Sequence, residues 1–144
     1  MDLGLSVQWA TCNLGSIRPA GYGTYHAWGE IADKTSSKGY KWYDRQTKQY
    51  TKYVVTESLG TLDMKYRLDP EDDVAHVCDG EWRIPTLEEM RELKDSCDWI
   101  PTDSNGVGGY LVKSRKNDNS IFLPASGFML DDDPLAKNEA GFYI

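Results

Sequence analysis

The chain has 144 residues, a length that fits one domain able to bury its own hydrophobic core. Its net charge of −7 disfavours contact with nucleic-acid phosphates, and its apolar runs are too short to cross a bilayer. Aromatic residues make up 12% of the chain, which favours β structure or a contact surface over a helical bundle. We therefore expect a single domain over residues 1–144 that neither binds nucleic acid nor inserts into a membrane.

The N-terminal part of the chain predicts two strands. Within residues 3–14, Leu5, Val7 and Trp9 alternate with polar or small residues, as in a strand that buries one face. A glycine-rich turn follows, and Tyr25–Trp28 is then predicted to form a second, short strand.

A stretch of aromatic and basic residues, residues 40–53, stands out in an otherwise acidic chain. Its lack of a regular period predicts a long excursion with at most one irregular strand. Five of its rings are the candidate ligand-binding residues: Tyr40, Trp42, Tyr43, Tyr50 and Tyr53. Such rings can stack on sugars or anchor a protein partner. The alternative is a lid whose rings cover the domain's own core, and the sequence leaves both interpretations open.

Two helices are predicted in the middle of the chain. The first spans about residues 70–79 and has Asp69 as its N-cap. The second spans about residues 86–97, where Thr86 and Glu89 have the spacing of a capping box.

Strands are predicted again after Asn105. Tyr110–Arg115 and Ser120–Leu123 flank a turn rich in Asn and Asp, which predicts a hairpin. Residues 126–141 are predicted to be a loop, and residues 142–144 to begin a further strand.

Because the helices are segregated from the strands, the order of elements predicts an α+β fold. We expect two helices packed on one side of a small, mostly antiparallel sheet. The apolar faces predict a core that contains Leu5, Val7, Trp9, Val74, Val77, Trp82, Leu87, Met90, Leu93, Leu111, Ile121 and Leu123.

The residues able to support catalysis are scattered. His26 and His76 are the two imidazole bases, and no nucleophile motif accompanies either one. His76 lies four residues after Asp72, which predicts a solvated pair on a helix surface. We predict no catalytic residue and no cofactor.

The sequence gives only weak signals for a metal site or a disulfide. The three cysteines lack zinc-site spacing and are predicted to be small buried side chains, with one disulfide still possible: Cys12, Cys78 and Cys97. Three oxygen-rich runs could supply calcium ligands. Helix capping accounts for Glu71–Asp73, a turn for Asn117–Asn119 and a flexible acidic loop for Asp131–Asp133, so we predict no metal site.

Five phrases, in this order, carry a resemblance to a known family. They are Asp-Leu-Gly-Leu-Ser-Val-Gln-Trp-Ala-Thr-Cys-Asn (2–13), Tyr-Gly-Thr-Tyr-His-Ala-Trp-Gly-Glu (22–30), Pro-Glu-Asp-Asp-Val-Ala (70–75), Trp-Arg-Ile-Pro-Thr (82–86) and Asn-Ser-Ile-Phe-Leu-Pro-Ala-Ser-Gly (119–127). Together they resemble the Fibrobacter succinogenes major paralogous domain, a module of bacterial surface proteins, over nearly the whole chain.

The resemblance implies a C-type-lectin-like fold and an extracellular or cell-surface location in the parent protein, although no signal peptide precedes Asp2. It implies a non-catalytic ligand-binding or adhesion module whose ligand is a glycan or a protein. The fold is also that of formylglycine-generating enzymes, so an enzyme is one alternative, and a purely structural spacer is another. The enzymes use a late pair of cysteines, whereas this chain has no cysteine after Cys97.

The sequence departs from its relatives in two places. The family pattern continues past an aromatic pair like Phe142-Tyr143 into closing strands, so the resemblance predicts that this chain lacks the last strand of its sheet. An unpaired sheet edge would then favour a homodimer, formed through the C-terminal strand or through the hairpin Tyr110–Leu123. The calcium-binding motifs of sugar-binding C-type lectins are also absent, which puts calcium-dependent sugar binding in doubt.

Overall fold

A computed structural model describes residues 1–36, 38–141 and 143. Its elements are β1 (Tyr43–Asp44), β2 (Gln49–Tyr50), α1 (Val74–Cys78), α2 (Leu87–Ser96), β3 (Cys97–Ser104), β4 (Val107–Ser114), β5 (Ser120–Pro124), β6 (Phe128–Leu130) and β7 (Asp133–Leu135), with single 3₁₀ turns at Glu57–Leu59 and Pro70–Asp72. The protein is therefore a small mixed α+β domain with two helices and antiparallel sheets among its described residues, which confirms the α+β part of the predicted fold.

The central sheet has three antiparallel strands in the order β3-β4-β5. Its β4–β5 hairpin, in which Lys113 lies opposite Ser120, confirms the predicted hairpin. The sequence prediction missed β3, which pairs with β4 along its whole length. Asn105 and Gly106 connect these two strands, and both have a positive φ, 56° and 80°. Positive φ at both central positions is what a tight hairpin turn requires, and Asn-Gly is the pair that adopts it most readily.

The core lies where α2 and the N-terminal segment meet the central sheet. Its fully buried members come from all three parts: Leu3, Leu93, Cys97, Val112 and Ile121. Leu5, Trp9 and Leu123 pack against this cluster, as predicted. Val74 of α1 is also buried, but outside the cluster.

Three predicted core residues are exposed instead, and they are Val77, Trp82 and Leu87. Val77 lies on α1, which has only five residues, too few to turn a full apolar face toward the sheet, whereas Trp82 follows α1 and Leu87 begins α2. The predicted helix at 70–79 is in fact a 3₁₀ turn followed by α1, and Asp73 caps α1 by accepting hydrogen bonds from the amides of Ala75 and His76. The second helix agrees closely with prediction, and the capping box of Thr86 and Glu89 is present.

The two predicted N-terminal strands are wrong. Residues 3–14 lack strand structure: two hydrogen bonds between Met1 and Trp9 close a loop, and Gly4 within it has a φ of +67° that breaks the extended path. Tyr25–Trp28 is also a loop, because the Tyr25 carbonyl accepts from the Lys34 amide rather than from a neighbouring strand. The alternating hydrophobic residues of 3–14 therefore do not form a strand, because no neighbouring strand among the described residues pairs with their backbone.

The predicted loop 126–141 contains the small hairpin β6–β7. Asp131 and Asp132 form its turn, with Asp131 at a φ of +51°, which gives this acidic run a local structural role. Of the predicted C-terminal strand, Phe142 and Ile144 lie outside the described residues. Within the described part of the chain, no helix has the length and apolarity needed to span a bilayer.

Candidate functional site

The aromatic stretch folds into a short hairpin, here called the aromatic hairpin (residues 40–53). Tyr43 of β1 lies opposite Tyr50 of β2, and their ring centroids are 5.1 Å apart at an interplanar angle of 63°. The Thr51 amide donates to the Trp42 carbonyl over 2.8 Å, so the next pair, Tyr43 and Tyr50, is one of the non-hydrogen-bonded pairs whose side chains approach most closely. Both tyrosines are 37% exposed. They form an angled aromatic surface open to solvent.

The turn of the aromatic hairpin is held by its own side chains. Asp44 Oδ1 accepts hydrogen bonds from the amides of Gln46 over 2.7 Å and Thr47 over 3.4 Å. These backbone donors hold the pKa of Asp44 below its usual value. The turn that joins the two exposed tyrosines is therefore ordered locally rather than by distant packing.

The other rings of the stretch face inward. Trp42 donates through Nε1 to the Gly29 carbonyl over 2.9 Å, and its ring meets Tyr53 edge to face at 5.9 Å. Gly29 has a φ of +71°, and a Cβ there would lie 2.8 Å from Trp42 Nε1, so only glycine fits beneath this ring. Tyr40 donates to the Trp28 carbonyl over 2.7 Å. Burial is the largest of the effects that raise the pKa of Tyr40 to about 12.

A buried carboxylate, Asp72, anchors the base of the aromatic hairpin. It is only 3% exposed and accepts from Lys41 Nζ at 3.0 Å, from Lys52 Nζ at 2.5 Å and from the Tyr53 hydroxyl at 2.7 Å. Burial opposes its ionisation, but the hydrogen bonds from Lys52, Tyr53 and Lys41 outweigh burial and lower the pKa of Asp72 to about 2. Asp72 is therefore a permanent anion that ties both ends of the stretch to the 3₁₀ turn at Pro70–Asp72.

The two lysines at this anchor also contact aromatic faces. Lys41 Nζ lies 4.1 Å from the Trp42 ring centroid, and Lys52 Nζ lies 4.9 Å from that of Trp42 and 5.0 Å from that of Tyr53. Lys52 is partly buried, which opposes its charge, yet its bonds to Asp69 and Asp72 raise its pKa. The inward half of the aromatic hairpin is thus a closed network of charges and rings.

The five predicted site residues therefore divide into two groups. Tyr43 and Tyr50 lie together on an exposed surface, as a binding site requires. Tyr40, Trp42 and Tyr53 are half-buried with their polar atoms bonded inside the domain, which matches the alternative of a lid.

The sequence analysis did not identify Asp72 as a site residue, because three adjacent acidic residues before a helix are explained equally well by the helix dipole. Its predicted surface pair with His76 does not form, because Asp72 is buried against the lysines.

Residues with catalytic or metal-binding chemistry lie apart from one another. His26 is bonded through Nε2 to the Thr24 hydroxyl at 2.7 Å and through Nδ1 to the Ala32 carbonyl at 3.0 Å. All three cysteines are free thiols, and they range from buried Cys97 to exposed Cys78. No group of three or more potential metal ligands is found within the described residues.

Concave regions of the described surface also lie outside the aromatic hairpin. An apolar groove of about 420 Å³ lies beside α2 and is lined by, among others, Trp28, Leu68, Ile84, Pro85, Leu87 and Met90. Leu87 is 60% exposed because it lines this open groove instead of the core. A second cavity of about 360 Å³ lies between Trp99 and Tyr110 of the central sheet and residues 138–141.

Comparison of the chain with protein families, with curated proteins and with solved structures finds no match. The resemblance to the Fibrobacter succinogenes major paralogous domain therefore stays a prediction from the five sequence phrases. A proposal for the function therefore depends on the geometry of the aromatic hairpin and on these phrases.

Proposed function

We propose that the chain is a non-catalytic, C-type-lectin-like ligand-binding module of a bacterial surface protein, and that its ligand is a carbohydrate. The observation that supports this most directly is the exposed Tyr43–Tyr50 pair on the aromatic hairpin. The sequence resemblance supports the C-type-lectin-like fold and the location outside the cell.

The construction of the aromatic hairpin favours recognition over packing. A tyrosine supplies a large rigid contact area at low cost in side-chain entropy, and its hydroxyl can hydrogen-bond to a polar ligand. The backbone beneath the two rings is held by the Asp44 turn on one side and by the Asp72 anchor on the other. A ligand would therefore meet rings that are already in place, which reduces the entropy lost on binding.

A protein ligand is the second candidate, because exposed tyrosines are also common anchors of protein interfaces. The two rings touch edge to face at 5.1 Å and present one small, angled surface, which suits a sugar ring better than a flat protein surface. A catalytic role has weaker support, since His26 already satisfies both ring nitrogens with Thr24 and Ala32.

A glycan array probed with the labelled protein tests this proposal, together with a Tyr43→Ala/Tyr50→Ala double variant. We expect the wild type to bind a subset of the glycans and the double variant to lose at least tenfold in affinity. The variant should stay folded with a modest loss of thermal stability, because each ring is 37% exposed and also packs edge to face on its neighbour. Tyr110→Ala is the control, because Tyr110 is another exposed tyrosine, 45% exposed, and lies on the central sheet.

The proposal fails if no glycan binds, or if the double variant binds the same glycans as strongly as the wild type. Capture of a protein partner that depends on Tyr43 and Tyr50, in the absence of any glycan binding, would favour the second candidate.

A further inference from the structure

The tip of the aromatic hairpin carries two cationic side chains that the domain itself does not neutralise. Arg45 and Lys48 lie in the turn between Tyr43 and Tyr50, and both are exposed. Within the described residues, neither forms an ion pair or a side-chain hydrogen bond, whereas Lys41 and Lys52 are both bonded to Asp72. The unbalanced positive charge of the hairpin therefore lies at its tip, beside the exposed rings.

The positive charge of the aromatic hairpin is opposite in sign to the net charge of the whole protein. The whole chain has 16 basic and 23 acidic residues and a net charge of −7. Residues 40–53 nevertheless contain four basic side chains and a single acidic one, Asp44. The Asp44 carboxylate is occupied by the backbone amides of the turn. An anion approaching this acidic protein would be attracted at the tip and repelled over much of the remaining surface.

We propose that the ligand of the Tyr43–Tyr50 surface is an acidic carbohydrate, a uronic-acid oligosaccharide in its simplest form. This inference rests on the proposed function and names the chemical class of its ligand. The two rings contact the sugar face, the planar guanidinium of Arg45 pairs with a sugar carboxylate through two parallel N–H···O bonds, and Lys48 adds a second, less directional charge. The repulsive field of the rest of the protein restricts an extended polyanion to contact at this tip.

The ligand pair that isolates this charge is oligogalacturonate and its methyl ester, which share the sugar ring and differ in the carboxylate. Titration calorimetry at low salt is expected to show the acid binding about fivefold more tightly than the ester, from two exposed ion pairs. Raising the salt concentration to about 0.5 M should remove this preference, because exposed charges are screened at that ionic strength. The ester should still bind through the rings.

Two charge-removing variants complete the test. Arg45→Gln/Lys48→Gln should bind acid and ester equally, while Arg91→Gln/Lys94→Gln, which removes the same charge from the exposed face of α2, should keep the preference for the acid. Equal binding of acid and ester by the wild type, failure of the acid to bind, or an unchanged preference in the first variant each overturns the inference. Binding of an acidic peptide or of single-stranded nucleic acid through Arg45 and Lys48, without binding of the acid oligosaccharide, also overturns it.

The failure of this inference can be told apart from failure of the proposed function. If a neutral glycan binds and the Tyr43→Ala/Tyr50→Ala variant loses it, the carbohydrate site stands and only the acidic specificity is wrong. If no glycan of either charge binds, both are wrong.

Discussion

At the scale of single residues, Asp72 is a buried carboxylate whose charge is shared by two lysines. Its carboxylate is buried and has three donors, so removing its charge would leave Lys41 and Lys52 beside each other without their shared counterion. Breaking one partner of a buried ion pair costs more than the pair contributes, because the remaining charge stays desolvated. Two features moderate this cost: Lys41 is half-exposed and can turn to water, and Lys52 keeps its ion pair with Asp69.

We expect Asp72→Asn to lower the free energy of unfolding by about 2–3 kcal/mol at pH 7. The folded-state pKa of Asp72 is about 2 and lies below the unfolded value of about 3.9, so the unfolded state binds more protons between these two pH values. The stabilisation is therefore complete above about pH 5 and is lost as the pH falls toward 2. Urea denaturation of both proteins between pH 7 and pH 2.5 measures this, and the difference between them should shrink with falling pH.

Asp132→Asn is the control for the Asp72 variant, because Asp132 pairs with Lys38 and both side chains are more than half exposed. Its effect should be close to zero at every pH. An Asp72→Asn protein as stable as the wild type at pH 7 would mean that the aromatic hairpin is held by its ring contacts alone. The acid transition of the wild type will still be present in Asp72→Asn, since Arg83 pairs with Glu89 and lowers its pKa to about 2.

Leu93 and Leu87 make a matched pair of residues on one helix. Both belong to the predicted apolar face of α2, yet Leu93 is fully buried and Leu87 is 60% exposed. We expect Leu93→Ala to lower the free energy of unfolding by about 2–5 kcal/mol, because it leaves a cavity in the cluster with Leu3 and Val112. Leu87→Ala should cost less than about 1 kcal/mol. Chemical denaturation measures both, and equal losses would show that the groove beside Leu87 is closed in solution.

At the scale of elements, the sequence predicted those whose signals are local. The capping box of Thr86 and Glu89 located α2 to within one residue, and the Asn- and Asp-rich turn located the β4–β5 hairpin. Both signals act over a few residues and need no knowledge of distant partners.

The elements that the sequence mispredicted depend on distant partners. β3 contains Pro101 and several polar residues, so its own pattern is not that of a strand, and it forms because β4 supplies every partner. Residues 3–14 show the reverse case, where Leu5 and Trp9 pack against the core from a loop. Hydrophobic alternation reports which side chains are buried, whereas a strand also needs a neighbour for its backbone.

The sequence predicted the location of the candidate site but not which of its rings are exposed. Composition alone located the aromatic hairpin, because rings and bases are concentrated there. It could not separate exposed Tyr43 and Tyr50 from inward-facing Trp42, since that division is set by Asp72 and Gly29, which lie outside the stretch. A strand of two residues is also too short to show a hydrophobic period, so the sequence could not predict which residues of the aromatic hairpin pair with each other.

At the scale of the whole molecule, the question is which sheet edge is open to a second copy. The β4–β5 hairpin was predicted to offer one, and its outer strand is β5. Ile121, Phe122 and Pro124 of β5 are buried, so that edge is covered by the domain itself. The other edge is β3, whose residues from Ile100 to Asp103 are exposed. The predicted homodimer would therefore use β3.

Pro101 sits in the middle of this exposed edge. The Arg115 amide donates to the Ser96 carbonyl, and by the alternation of an antiparallel ladder Pro101 and Tyr110 then form a non-hydrogen-bonded pair. The missing N–H of Pro101 therefore points away from β4, toward any strand that would add to the edge. Proline at such a position is a common means of limiting edge-to-edge pairing.

We expect the wild type to self-associate only weakly through β3, and Pro101→Val to strengthen this association clearly. Valine restores the outward-facing amide and favours extended backbone, so two copies could pair their β3 strands about a two-fold axis. Sedimentation velocity over a hundredfold range of concentration measures the shift. Pro134→Val is the control, because Pro134 is also an exposed strand proline but lies in the separate β6–β7 hairpin. If Pro101→Val sediments like the wild type at every concentration, the β3 edge is not an association surface, and a homodimer through the central sheet is ruled out because β5 is already covered.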